Sequence, residues 1–166
     1  MSSTLYVDNL VEKTSGNGVH IPGHVIQAVQ NTGTNGSTTT VTGAYVTTPY
    51  TGTITPKFTT SKILVTVSFS VLLRCGSGTY DSAAIGFSLL RGSTRIISTV
   101  NNPHEMFVSG PSNLLGNRQS ISYLDSPSTI SATTYSLEAW PRYANQTSEF
   151  DSRATTWSVT LQEIAQ

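Results

Sequence analysis

Charged residues are scarce in this 166-residue chain. Lys, Arg, Asp and Glu together make up 11% of it, whereas a typical soluble domain carries about a quarter. Nine basic and nine acidic residues balance to a net charge of zero and are scattered singly. A nucleic-acid-binding domain normally shows a basic stripe, so that class of partner is set aside. Because about three residues in ten are Ser or Thr, hydroxyl groups must supply most of the polar surface.

Cysteine and long apolar runs are lacking too. Cys75 is the single cysteine, which excludes an intrachain disulfide framework and a cysteine-based zinc site. It follows an apolar run, so we expect a buried, unreactive thiol. No apolar run approaches the roughly 20 residues that span a bilayer, and the first residues lack a signal-peptide pattern. We therefore expect a protein made in a cytoplasm, without a membrane as partner.

Helical periodicity is missing, and a two-residue period takes its place. From Lys62 to Leu73, apolar residues fall on one face while Thr and Ser fall on the other, which predicts a long strand with one buried face. Residues 155–164 repeat this pattern. A hairpin is predicted to turn at 91–94, where Gly92 can adopt the positive φ that the turn requires. Further strands are predicted at 24–30, 38–46, 51–55, 120–125 and 133–140.

Short strands separated by turn signals predict an all-β chain folded as a β-sandwich, most simply a jelly roll. Residues 108–120 are interrupted by Gly and Pro and are predicted to form a loop. Residues 11–23 contain three glycines and a proline and show neither a helical period nor the two-residue period of a strand. Such a segment frays in a lone monomer, so we divide the chain into an extended N-terminal arm at 1–23 and a sandwich domain at 24–166.

The histidines offer little for a metal site. His20 and His24 have the spacing of a helical metal pair, but Pro22 and Gly23 lie between them and exclude the helix. In a trimer, three copies of His20, His24 or His104 can meet on the symmetry axis and hold a metal. Hydrogen bonding at a surface or interface is the simpler interpretation.

Catalytic motifs are equally scarce. Glu149 and Asp151 would share a face of a strand, as a glycosidase carboxylate pair requires, but no motif flanks them. The sequence has no serine elbow, phosphate loop or dinucleotide fingerprint. We therefore expect a protein without enzymatic activity and without a cofactor.

Residues 139–150 form the richest candidate for a ligand loop. Ring faces, a guanidinium and two amides suit sugar recognition, because rings stack on C–H faces and amides pair with hydroxyls. The alternative is structural: Trp140 ends a core strand and Tyr143 lies at a subunit interface. The candidate ligand residues are Trp140, Arg142, Tyr143, Asn145 and Gln146.

Three segments together resemble a module of virion proteins from cyanophages and other tailed phages of marine and fresh water. Residues 3–27 are similar to its leader, with "LYVD", a Gly/Ser linker and "HIPGHVIQ". Residues 53–68, "TITPKFTTSKILVTVS", resemble its strand pair. Its last strands are similar to "SPSTISATTYSLEAW" at 126–140 and to the ending "WSVTLQEIAQ". The likeness covers residues 3–74 and 120–166.

This resemblance implies a homotrimeric β-sandwich on the outside of a virus particle, and it supplies no catalytic residues. It further implies that the arm lies on neighbouring subunits or on the particle, because an isolated arm cannot offset a chain entropy of about 1–2 kcal/mol per residue. The expected anchors of the arm are Leu5, Tyr6, Val7, Leu10 and Val11.

Three roles are compatible with the sequence. No shaft-like repeat or heptad precedes the sandwich, which favours a capsid cement or decoration protein bound to the major capsid protein. A tail fibre or tailspike tip that recognises a host-surface glycan is the second role. A lectin-like domain unconnected with particles is the third.

Overall fold

The computed structural model describes residues 6–12, 19, 21–34, 36–39, 43–75, 82–98, 106–109, 114–143, 147–150 and 155–166. Within these residues it contains eleven strands and no helix, hence no helix able to cross a membrane. The strands are β1 (Val25–Gly33), β2 (Ser37–Thr39), β3 (Val46–Ile54), β4 (Lys62–Arg74), β5 (Ser82–Arg91), β6 (Thr94–Ser98), β7 (Met106–Ser109), β8 (Leu114–Asp125), β9 (Thr133–Pro141), β10 (Thr147–Phe150) and β11 (Trp157–Ile164).

The strands form two antiparallel sheets. In sheet A, β8 pairs with one side of β4, while β11 and β10 share the other side of β4. The outer sides of β11 and β10 pair with β1 and β2. Sheet B has the strand order β3-β9-β5-β6, and β7 pairs with the first residues of β5. The length of β4 therefore organises the whole of sheet A.

The core lies between the two sheets. The inward residues of β4, from Ile63 to Leu73 at every second position, are at most 2% exposed. Phe69 links the layers, because its ring centroid lies 4.8 Å from those of Tyr50 and Phe87. The predicted two-residue period and the predicted β-sandwich are confirmed. Cys75 is buried as predicted, with its Sγ 3.6 Å from the carbonyl oxygen of Val108.

Two of the predicted elements are wrong. The strand predicted at 38–46 is divided, because β2 ends at Thr39 and residues 43–45 precede β3 without strand structure. The loop predicted at 108–120 is replaced by the end of β7 and by β8, which begins at Leu114. β4 provides a continuous pairing partner as far as Arg74. This pairing outweighs the low strand propensity of Gly116.

The sandwich has two distinct ends. We call the base the end that carries Lys62, Asp125 and Arg91, and the apex the end that carries Arg74 and Pro141. Along β9, base and apex are separated by eight residue steps, roughly 26 Å. The hairpin of β5 and β6 turns at the base, where Gly92 has the predicted positive φ of 57°.

A buried polar cluster joins the sheets at the base. Arg91 of sheet B donates from Nη1 to both carboxylate oxygens of Asp125 of sheet A at 3.0 Å. The hydroxyl of Tyr135 donates to the same carboxylate at 2.7 Å. Burial first, and then the hydrogen bond and negative charge of Asp125, raise the pKa of Tyr135 far above its ordinary value. Tyr135 therefore stays a neutral donor across the usual pH range.

Candidate functional site

The described part of the arm displays its apolar side chains to solvent. Residues 6–12 form no strand or helix. In this segment Tyr6 is 90% exposed, Val11 73%, and Val7 and Leu10 54% each. Leu5, the remaining expected anchor, lies outside the described residues. Burying such a side chain contributes about 1.5–3 kcal/mol of free energy. The segment would therefore gain free energy if another surface covered it.

The arm leaves the sandwich at the base. The amide of Gly23 donates to the carbonyl of Ala165 at 2.8 Å, and the amide of Ala165 donates to the carbonyl of His24 at 2.9 Å. Ala165 itself is fully buried. Residues that precede Gly23 therefore start from a fixed point beside the end of β11.

The candidate ligand loop lies at the opposite end. Arg142 donates its amide to the carbonyl of Ala84 at 2.9 Å, which fixes the chain where β9 ends. Its guanidinium carbon lies 5.5 Å from the ring centroid of Tyr143, within cation–π range. Asn145 and Gln146 lie outside the described residues. The structure thus brings Arg142 and Tyr143 together at the apex.

Trp140 lies next to the end of β9, a strand with one buried face, which agrees with the first part of the structural alternative. Its two neighbours, Ala139 and Pro141, are buried. Trp140 is half-buried and faces outward from sheet B, because successive side chains of a strand point to opposite faces. Its ring is therefore placed on the outer surface rather than in the core.

Sequence reasoning missed a second aromatic and charged group on that outer face. Arg95 of β6 donates to the carboxylate of Glu138 at 2.7 Å and stacks 3.6 Å above the ring of Tyr45. The hydroxyl of Tyr45 lies 3.4 Å from that of Ser98. Glu138 precedes Trp140 by two residues on one face of β9, about 7 Å away. The sequence could have predicted that Glu138 and Trp140 share a face, because they are two residues apart in a predicted strand. The positions of Tyr45 and Arg95 depend on sheet pairing, which the sequence does not reveal.

The other polar candidates are not assembled into a site in the described part of the chain. His24 is exposed, while His20 and His104 are outside the described residues. Glu149 forms an ion pair with Arg74, and Asp151 is outside the described residues. No three His, Cys, Asp or Glu residues among those described converge as metal ligands do.

Comparison with known proteins leaves the two surfaces as the guide to function. No model of a known protein family matches the chain, and no curated protein is significantly similar to it. The geometry offers an apolar arm rooted at the base and an aromatic, charged surface that extends to the apex. Both arrangements suit binding to another molecule.

Proposed function

We propose that this chain is a structural protein of a bacteriophage particle, without enzymatic activity. In this proposal it is a homotrimeric cement or decoration protein on the outer capsid surface, made in the host cytoplasm and bound to the major capsid protein. The observation that carries the proposal is the exposure of Tyr6, Val7, Leu10 and Val11 in one short segment that lacks secondary structure.

The arm provides a physical means of attachment. Its apolar side chains gain free energy only when another surface covers them. Three arms on one trimer would make each detachment conditional on the other two, so modest contacts would hold firmly. A net charge of zero further suits a protein that packs against copies of itself. The proposal includes the division of the chain into an arm, residues 1–23, and a sandwich domain, residues 24–166.

The resemblance of residues 3–74 and 120–166 to the virion module of cyanophages and related phages supports the trimer and the particle surface. It also supports the jelly-roll form of the sandwich. The polarity of the molecule agrees with this role, because an arm that binds at the base leaves the apex directed away from the particle.

Antibody labelling of this protein on intact phage particles, viewed by electron microscopy, tests the proposal. We expect label over the whole head. Label confined to the tail end would contradict a cement role, and absence of label from particles would contradict a virion role altogether.

The apical aromatic surface favours a second candidate, a tail fibre or tailspike tip that recognises a host-surface glycan. Trp140, Tyr143 and the stacked pair of Tyr45 and Arg95 present ring faces and charged donors on the outside of the fold. Under this candidate, Trp140→Ala and Tyr143→Ala should each reduce host adsorption about tenfold, or about 1.4 kcal/mol, with the domain still folded. Ile130→Ala, which changes an exposed apolar residue outside this surface, is the control.

A further inference from the structure

The outer edge of β8 is unusually open. Over the described residues β8 pairs only with β4, and no described strand pairs with its other edge. The strand has twelve residues, about 40 Å of extended chain. An edge of this kind presents a row of unpaired N–H and C=O groups that can pair with another strand.

The other described edges are all blunted. The pairings of β1, β3 and β6 each contain a break in register, and the break in β3 includes Pro49. β2 and β7 are only three and four residues long. Bulges, prolines and short strands are the devices by which proteins prevent edge pairing. β8 has none of them: its twelve residues pair with β4 without interruption.

The exposed apolar side chains of β8 lie near its two ends, and the exposed residues between them are small or polar. Leu114 is 51% exposed and Leu124 45%, both on the outer face of sheet A. Tyr123 lies opposite Val65 and so faces the core side, yet it is 36% exposed. Arg118 donates to the carbonyl of Thr156 at 3.0 Å, and Asp125 binds Arg91. The charges of β8 are thus engaged within the chain.

We propose that β8 is a self-association edge, at which the β8 strands of two copies pair antiparallel around a two-fold axis through Gln119. Paired residues of antiparallel strands point to the same face. The two-fold axis must therefore pass between the two copies of one residue, so that this residue pairs with its own copy. With the axis at Gln119, Leu114 lies opposite Leu124 on the outer face, and Leu115 lies opposite Tyr123 on the inner face.

The neighbouring registers are less favourable. An axis at Ser120 would place Leu124 opposite Gly116 and leave Leu114 without a partner in β8. An axis at Arg118 would place two arginines directly opposite each other, which is destabilising. Only the Gln119 register gives each exposed apolar residue of β8 an apolar partner. This self-complementarity identifies a second copy of the chain as the partner, as an isologous contact requires.

The pairing does not rest on the proposed trimer, because the two-fold contact joins two copies whether each is single or part of a larger ring. Its failure would leave the role of the arm untouched. Conversely, an absence of label on particles would leave the edge pairing untouched.

Disulfide trapping of the full chain tests the register. In Gln119→Cys the two new thiols lie on the axis, with Cα atoms roughly 4.5–5.5 Å apart, within disulfide range. In the control Asn117→Cys, the same strand offset places the thiols about 14 Å apart, out of range. Since Cys75 is buried, the wild-type chain gives the background. We expect mild oxidation to link most Gln119→Cys chains in pairs while Asn117→Cys stays at background. Equal linkage of both variants, or of neither, would overturn the proposal.

The mass of the free protein gives an independent test that requires no new cysteine. Leu124→Lys places a charge in the apolar contact at an exposed position, whereas Ile130→Lys changes an equally exposed apolar residue outside β8. By sedimentation equilibrium at high concentration, we expect Leu124→Lys to have half the wild-type mass and Ile130→Lys to keep it. Circular dichroism should show all three chains folded. A wild-type mass equal to that of Leu124→Lys would count against the pairing.

Discussion

Single residues hold the base of the sandwich together, and Glu163 illustrates how. Its side chain is fully buried, yet its carboxylate accepts hydrogen bonds from the amides of Lys57 and Phe58 and from the amide group of Gln27 at 2.6–3.2 Å. These hydrogen bonds hold the connection between β3 and β4 against the beginning of β1. The carboxylate thus takes the place of water for the backbone amides of Lys57 and Phe58 and ties them to Gln27.

The substitution Glu163→Gln tests this arrangement. A glutamine retains the shape but offers one acceptor oxygen and an NH₂ group, which must face another donor. We expect the free energy of unfolding to fall by about 2–3 kcal/mol, as for hydrogen bonds to a charged group. Urea unfolding measures the change. In the matched control Glu138→Gln, which alters a partly exposed ion pair with Arg95, the loss should be about 1 kcal/mol or less.

Tyr135 allows a prediction about alkaline pH. Tyr135→Phe removes the hydroxyl that donates to Asp125, while Arg91 continues to bind that carboxylate. At pH 7 we expect a loss of about 1–2 kcal/mol in the free energy of unfolding. Because the folded pKa of Tyr135 is raised above its unfolded value of 10, the contribution of this group is complete below pH 10 and is lost as the pH rises above it.

The stability gap between wild type and Tyr135→Phe should therefore narrow above pH 10, by up to about 1.4 kcal/mol per pH unit. Urea midpoints at pH 7, 9 and above 10 measure it. A stability gap that widened with pH would contradict the assignment of Tyr135 as a neutral donor with a raised pKa.

At the scale of the strands, close packing of β1 on β11 depends on one glycine. Gly33 lies opposite Trp157, and a Cβ at Gly33 would come within 2.6–2.9 Å of three atoms of the indole. The indole is buried and packs edge-on against Tyr50, with centroids 5.7 Å apart, so it has little room to move. The last residue of β1 is therefore restricted by its neighbour rather than by its own backbone angles.

Gly33→Ala should accordingly lower the free energy of unfolding by about 1–3 kcal/mol, the usual cost of overpacking. Gly116→Ala is the matched control, because that glycine also lies within a strand but its Cβ would meet only Leu72 at 3.4 Å. We expect this control to change stability by less than about 1 kcal/mol. Thermal and urea unfolding of both variants would decide, and equal losses would refute the role of the indole.

The strands also show what can be learned from sequence. β4 and β11 were predictable because a buried face imposes a two-residue period on every residue, and the turn at Gly92 because positive φ selects glycine. The second half of β8 was predicted as the strand at 120–125, but residues 114–119 were not, since only their pairing with β4 makes them a strand. The group of Tyr45, Arg95 and Glu138 joins three separate parts of the chain, so pairing register alone brings it together.

For the molecule as a whole, the separation of arm and apex predicts which changes affect attachment. We expect deletion of residues 2–22 to leave a folded domain that no longer remains on particles. Replacement of Tyr6, Val7, Leu10 and Val11 by Ser should have the same effect without shortening the chain, because it removes only the apolar contacts. Replacement of the exposed neighbours Asp8 and Asn9 by Ala is the matched control.

Occupancy on purified particles, measured by quantitative gel analysis before and after dilution, tests this prediction. We expect at least a tenfold loss for the deletion and for the Ser variant, since all three arms of the proposed trimer would be weakened together. Full occupancy of either variant, with the folded state checked by circular dichroism, would show that the arm is not the means of attachment.

The position of the arm root beside Ala165 has a practical consequence for phage display. If the arm binds the particle as proposed, a peptide appended after Gln166 would emerge beside the arm and compete with the particle for the same space. A peptide inserted between Tyr143 and Thr147, roughly 26 Å away at the other end of β9, would point outward from the proposed attachment face. The sandwich would then serve as a scaffold that carries foreign epitopes on its outer end while its inner end stays bound.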